Sequence, residues 1–382
     1  MYKRIFLLIG LLVGSIIGAG VFALPFVFSQ SGFLTGLAYL SVSVLIYILL
    51  YLLYADIVVR TEGEHRFVGY TRIYFGKVAS WFSVLVAILG AMVSLTAYLV
   101  LSISFMSLVF PSLSHSVSLL AFWAIGSFAI FLKLKRIVAF EFFVTIAMLG
   151  IVFLIFVLGA DTFFENLSVG EFVFNFKAGA LPFAPIFYAL GGMVAIPSIV
   201  QYFRVTHGSH NYSAMRTVII WGVISVAVVY TLFVIGVIGL SDVISTDSVG
   251  GLLSSVPAYV LVSLGTLGLF SLITSYIAIG LDTAKSLKYD LNIHHTLRAL
   301  IVVLAPLGIY TAGFTDFFKL ISFTGGIFSV LVSMMIMGMW LRVATLAKEP
   351  TKIIKHTHTW FIAGAFVILL ATLINEVFQL IF

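Results

Sequence analysis

The sequence predicts an all-α integral membrane protein with eleven transmembrane helices, and three observations carry that reading. Of its 382 residues, 62% are hydrophobic and only 9% charged, with a mean hydropathy of +1.22; soluble domains carry about 25% charged residues. The charged residues are confined to short segments between apolar runs of about 18 to 28 residues, roughly the length a helix needs to cross the hydrocarbon core. A helix-breaking motif occurs twice, in spans that enter the membrane from opposite sides. A β-barrel would need alternating segments of about ten residues, and these runs do not alternate.

The first run, 5–29, follows Lys3 and Arg4 and contains a small-residue cluster, which gives it the look of a signal peptide. It continues past the cluster to Phe28, so it is read as the first transmembrane helix. The other spans are read at 33–58, 78–110, 116–132, 137–159, 181–203, 217–239, 257–284, 297–314, 317–342 and 358–381. The segment RTEGEHRFVGYTR (60–72) mixes charges and aromatics and is expected to lie along the inner membrane face. Two longer loops, 160–180 and 240–256, carry Asp161, Glu165, Glu171, Asp242 and Asp247.

With the N-terminus in the cytoplasm, all of the 20 Lys and Arg except Lys177 and Lys319 fall inside. This is the positive-inside pattern. It predicts a multi-pass protein of the inner (plasma) membrane with a cytoplasmic N-terminus and an extracytoplasmic C-terminus. The pI of about 9.4 then reflects helix orientation and anionic lipid rather than a nucleic-acid partner. There is no room for a soluble domain, and the chain is read as one transmembrane domain, 1–382. With no cysteine, disulfides and cysteine-based metal or redox sites are excluded.

The breaking motif is GVFALP (Gly20 to Pro25) in the first span and GMVAIP (Gly192 to Pro197) in the sixth. Each interior Gly costs a helix about 1 kcal/mol relative to Ala and each interior Pro about 3. The copies lie five spans apart, an odd offset, so the second enters from the opposite side: an inverted repeat with a broken helix in each half. Glycine is also commoner in membrane helices, where it permits close packing. Where a helix unwinds, freed N–H groups attract a carboxylate and freed carbonyls attract an ammonium or a metal cation. A zwitterionic amino acid satisfies both.

GSIIGAGVFALP (14–25) resembles the first-helix motif of permeases in the amino acid–polyamine–organocation superfamily. The likeness is greatest to the amino acid/auxin permeases and the bacterial hydroxy/aromatic amino acid (tyrosine and tryptophan) permeases. AIPSIVQYFR (195–204), LITSYIAIGLDTAKSL (272–287) and LAPLGIYTAGFTDFFKLISFTGGIFSVL (304–331) resemble later stretches of that group. The resemblance implies a leucine-transporter-like fold: inverted repeats at about 5–159 and 181–342, with an extra helix at 358–381. It departs at YALGGMVAIP, where many relatives carry a bulky or polar residue in the sixth-helix break. Two consecutive glycines leave room for a large apolar side chain, which fits an aromatic substrate.

From the resemblance, the substrate carboxylate is expected at the N–H groups of Gly18, Ala19 and Gly20. The ammonium is expected at carbonyls from Ser15 to Ile17 and around Tyr188, Ala189, Leu190 and Gly191. Tyr98 reads either as a lid or carboxylate contact or as an aromatic packed on a neighbouring helix. Ser271, Thr274 and Ser275 stand at i, i+3 and i+4 on one helix face. With carbonyls of Gly14 and Ile17 they would supply five oxygens, a set suited to a hard cation; back-bonding to their own helix is the alternative. In sodium-coupled relatives of this fold the second sodium site has that arrangement.

Three carboxylates are read within or near spans. Asp56 and Glu141 are taken as ion pairs at the interface. Asp282 lies two turns, roughly 10 Å, from Ser275 and is a candidate proton relay. The histidines fall in loops, the pairs at 294–295 and 356–358 included, and no resident cofactor or metal is expected beyond sodium or a proton as coupling ion. A lysine in the fifth span replaces sodium in some proton-coupled relatives and is absent here, whereas the bacterial aromatic permeases are proton-coupled. The expectation is therefore a secondary active importer of neutral, aromatic or other bulky apolar amino acids, with proton symport favoured over sodium. The alternatives are a sodium-coupled transporter of small neutral amino acids and a substrate-sensing homologue. A channel lacks its polar stripe or charged ring, and an intramembrane enzyme lacks convergent catalytic groups. The partners expected are an amino acid and membrane lipid, and the chain is expected to be monomeric.

Overall fold

The computed structural model describes residues 2–63, 65–131, 137–166, 182–207, 212–253, 256–289, 291–346, 353–354 and 359–381. Every regular element among them is helical. The first run gives α1 (Tyr2–Ile16), a 3₁₀ turn (Ala19–Ala23) and α2 (Leu24–Ser31). Then come α3 (Phe33–Arg60), α4 (Phe67–Val109), α5 (His115–Phe131) and α6 (Ile137–Asn166). The sixth run is divided between α7 (Phe183–Ala189) and α8 (Ala195–His207). After α9 (Tyr212–Leu240), α10 (Ala258–Tyr289) and α11 (His295–Thr311) come α12 (Phe317–Phe323), a π-helical turn (Thr324–Ser329) and α13 (Val330–Leu346). The last element is α14 (Thr359–Ile381).

Among the described residues, seven stretches are long and apolar enough to cross a membrane, or eight when α1 and the bent segment after it count as one. The chain is a multi-pass membrane protein. α5 and α11 are apolar helices of 17 residues, about 25 Å long. The segment 60–72 is shared between two helices. Arg60 closes α3, and Phe67 already begins α4. Gly76 interrupts α4 at φ 84°, ψ −172°. A Cβ there would meet nothing within 4 Å, so the residue serves its backbone angle, which side chains disfavour, and kinks the helix ahead of the long span.

Small residues set the closest helix contacts. A Cβ on Gly159 of α6 would overlap the carbonyl oxygen of Gly236 of α9, and one on Gly239 would overlap the oxygen of Gly159. Lipid supplies no hydrophobic force between helices, so such backbone approach lets dispersion hold the pair. At the centre, Phe22 of the 3₁₀ turn packs edge-to-face on Phe105 of α4 and Phe233 of α9, with ring centroids 4.8 and 5.6 Å away. Arg204 of α8 donates to the carbonyls of Val58, Val59 and Thr61 at 2.6, 3.0 and 3.0 Å. Its charge meets the negative end of α3.

Candidate substrate site

The two glycine–proline motifs lie against each other. α1 ends at Ile16, Gly18 is extended at φ −144° and ψ −152°, and the chain resumes as the 3₁₀ turn, bent 57° from α1. Five residues separate α7 from α8. A Cβ on Gly20 would fall 2.5 Å from Ala189 Cα, and one on Gly192 would fall 3.3 Å from Ile16 Cα. The first glycine of each motif is therefore the place where the other segment's backbone passes.

Three tyrosine hydroxyls meet the carbonyls freed at the second interruption. Tyr47 donates to Phe187 O at 2.6 Å, Tyr230 to Ala189 O at 2.6 Å and Tyr51 to Leu190 O at 2.7 Å. Tyr51 also accepts from the Gly192 N–H at 2.6 Å. Tyr230 reaches Ile16 O at 3.3 Å as well, so one hydroxyl spans both interruptions. All three side chains are buried, where an unmet carbonyl is costly.

Gly18 faces hydroxyls instead of backbone. A Cβ there would lie 3.5 Å from Tyr98 Oη and 3.7 Å from Ser275 Oγ. The Tyr98 hydroxyl neighbours that of Tyr188. Tyr188 Oη also neighbours Ser94, yet makes no hydrogen bond of good geometry. Farther along α4, a cavity of about 320 Å³ is lined by Leu101, Ser104, Asp247, Asp316 and Phe317, among others. Asp247 is fixed there by Ser104, by Ser245 at 2.6 Å and by the Val249 N–H at 3.1 Å.

The structure gathers the expected residues unevenly. Ser15, Ile17, Gly18, Ala19 and Gly20 lie at the first interruption, and Tyr188, Ala189, Leu190 and Gly191 at the second. The carbonyls of Ala189 and Leu190 already accept from tyrosines, and that of Tyr188 accepts from the Gly191 N–H at 3.0 Å. Tyr98 faces Gly18, with Ser275 beside it. Thr274 donates to the Ser271 carbonyl at 2.9 Å, and the nearest atoms to a Cβ on Gly14 belong to Thr145 of α6.

Asp282 is ion-paired with Arg66, just before α4. Asp56 is fully buried, its Oδ2 accepting from Arg60 Nε at 3.1 Å and Trp340 Nε1 at 2.9 Å. His294 caps α11 by accepting from the Thr296 N–H. The side chain of Glu141, together with Glu171, Lys177, His356 and His358, lies outside the described residues. Sequence reasoning missed Tyr47, Tyr51 and Tyr230, whose hydroxyls leave no mark in an apolar run. It also missed Glu376, buried in α14; a single acid in the last apolar span was the available signal.

Residues 1–381 match the model of the tryptophan/tyrosine permease family. Among solved structures the chain is similar to Mhp1, a nucleobase-cation-symport-1 family transporter in a closed conformation with bromovinylhydantoin bound. Identity is 15% over 97% of this chain and 90% of that one, with a TM-score of 0.66. It is similar to MhsT in complex with L-phenylalanine, at 14% identity over 96% and 98% of the two chains and a TM-score of 0.64. It is also similar to a manganese transporter of Eremococcus coleocola, at 11% identity over 97% and 93% and a TM-score of 0.58. At such identities the likeness is one of fold, and no curated protein sequence gives a match. The family model spans nearly the whole helical chain, so the chain belongs to the tryptophan/tyrosine permease family and is a secondary transporter of amino acids, not an enzyme.

Proposed function

We propose that the chain imports aromatic amino acids by proton-coupled alternating access. The observation that carries this reading is the reciprocal contact of the two interrupted segments, Gly20 on Ala189 and Gly192 on Ile16, beside the hydroxyls of Tyr98 and Ser275. The substrate carboxylate sits at the amides of Gly18, Ala19 and Gly20 with Tyr98 as a further donor. Because tyrosines occupy the carbonyls of Ala189 and Leu190, and Tyr230 also reaches that of Ile16, the ammonium turns toward those of Ser15 and Ile17. The ring lies toward Tyr188, because the space beside Gly192 is already filled by Ile16 and that beside Gly191 by the Tyr188 carbonyl. MhsT, of similar fold, holds L-phenylalanine, which supports an aromatic substrate.

In this reading α1 with α2, α7 with α8, and α12 with α13 each make one span, giving eleven in a single domain, 1–382. The halves 5–159 and 181–342 are inverted repeats about an axis in the membrane plane. The distribution of Lys and Arg puts the N-terminus in the cytoplasm. The cavity at Ser104 and Asp247 is then the outer vestibule, and the pair Asp282–Arg66 closes the inner end. Sodium is the second reading, favoured by Ser275 standing beside Gly18; the bond from Thr274 to Ser271 weighs against it.

Counterflow and uptake in proteoliposomes test the proposal, using a panel of amino acids with and without sodium and a pH gradient. Tryptophan, tyrosine and phenylalanine are expected to compete, with accumulation following the proton gradient in sodium-free buffer. Preference for small neutral amino acids, or accumulation that needs sodium, would overturn it.

A further inference from the structure

Glu376 is the one ionisable residue of α14 and is 8% exposed. Among the described residues the ion pairs are Asp56–Arg60 and Asp282–Arg66, and neither includes this carboxylate. Its side chain lies over the π-helical turn. A Cβ on Gly326 would overlap Glu376 Cγ and fall 2.7 Å from Cδ, and 3.1 Å from Ala184 Cβ of α7. A Cβ on Gly325 would overlap the Ala184 carbonyl oxygen. Only the bare backbone of Gly325 and Gly326 therefore separates the carboxyl from α7, the half-helix that ends at the second interruption. π-helical turns interrupt the regular ladder and recur at functional sites.

We propose that Glu376 is the residue that takes up and releases the coupling proton, with the position of α7 setting its access to water. Ionising a carboxyl without a counter-charge at membrane depth depends strongly on the water that reaches it. With α7 seated on Gly325 and Gly326 the residue is 8% exposed; movement of α7 during opening changes how much water reaches the carboxyl. The other ionisable side chains on the elements packed around it are Tyr188 of α7, Lys319 of α12 and Arg342 of α13, with none in the turn. Lys319 and Arg342 are exposed, and neither pairs with Glu376. The proton simply binds to and leaves one carboxylate oxygen, so no other reactant is needed.

The assignment rests on the proton-coupled reading above, and the experiment separates the two. Wild type, Glu376→Gln and Glu376→Asp are reconstituted, and tryptophan accumulation is measured under an imposed pH gradient without sodium. A gradient of one unit supports about tenfold accumulation at one proton per substrate. Glu376→Gln is expected to lose that accumulation, and its counterflow is expected to become independent of pH; Glu376→Asp should restore part of both. Wild type indifferent to the gradient defeats proton coupling and this assignment together. Wild type and Glu376→Gln driven alike defeat the assignment alone. If Glu376→Gln does not insert, Glu376→Asp decides by its pH profile: a displaced profile supports the role, and an unmoved one overturns it.

Discussion

Gly20 and Ala189 stand in backbone contact across the two interruptions, with a Cβ on Gly20 falling 2.5 Å from Ala189 Cα and 2.8 Å from its Cβ. Gly20→Ala must push the segments apart, and overpacking of this kind costs about 1–3 kcal/mol. A lowered Tm in detergent is expected. Gly18→Ala meets only ordinary contacts and is expected to keep its Tm while raising KM. Equal Tm values in the two variants would remove the structural role given to Gly20.

Tyr230→Phe removes the hydroxyl shared by Ala189 O and Ile16 O. A buried carbonyl left short of its donor costs about 1–3 kcal/mol. Tyr47→Phe costs a similar amount but touches only the segment at Phe187. Uptake kinetics should therefore show a larger rise in KM for Tyr230→Phe. The same KM in both would mean that linking the two interruptions is not what the hydroxyl does.

Asp56→Ala takes the carboxylate away from Arg60 and Trp340 and leaves a mostly buried guanidinium without it. Breaking such a pair from one side costs about 3–5 kcal/mol. Trp340→Phe loses a single bond to a charged acceptor, about 1.5–3 kcal/mol. Thermal unfolding should rank them in that order, and the reverse order would exclude the ion pair as the main contribution.

Thr274→Ala deletes a hydroxyl already spent on its own helix, so uptake is expected to change by less than about twofold. Ser275→Ala, beside Gly18, is expected to raise KM more. Sodium stimulation that is present in the wild type and lost in Thr274→Ala would establish a cation site there instead.

Gly76→Ala places a side chain in a backbone region that is nearly glycine-only, at about 1–3 kcal/mol. Lower stability with an unaltered KM is expected, since the kink lies far along α4 from Tyr98. A changed KM would show that the kink transmits strain to the site.

The helical class and the two interruptions were legible because their causes are local. Composition excludes a soluble surface, and clustered Gly and Pro oppose an unbroken helix wherever they stand. The tyrosines were not legible, because Tyr47, Tyr51 and Tyr230 act through single oxygens on helices that otherwise read as apolar packing. Gly76 hid for a related reason: nothing in its neighbours marks a left-handed angle. The oxygens expected to form a cation site share a face on α10, but spacing within one helix does not say what the opposite helix presents. A Cβ on Gly14 would meet Thr145 of α6, a neighbour that spacing on α10 does not reveal. Glu376 was visible as a residue, while its setting against Gly326 belongs to the fold.

The tyrosine hydroxyls that donate to the carbonyls of Phe187, Ala189 and Leu190 bear on leakage. An unwound segment with open carbonyls would hold a file of water, and such a file conducts ions without cargo. Tyrosine rings close the segment with one oxygen apiece and seal the space around it with hydrocarbon. If transport is coupled to an ion gradient as proposed, that gradient would then be dissipated only when substrate crosses, which is the insulation that a tightly coupled carrier requires.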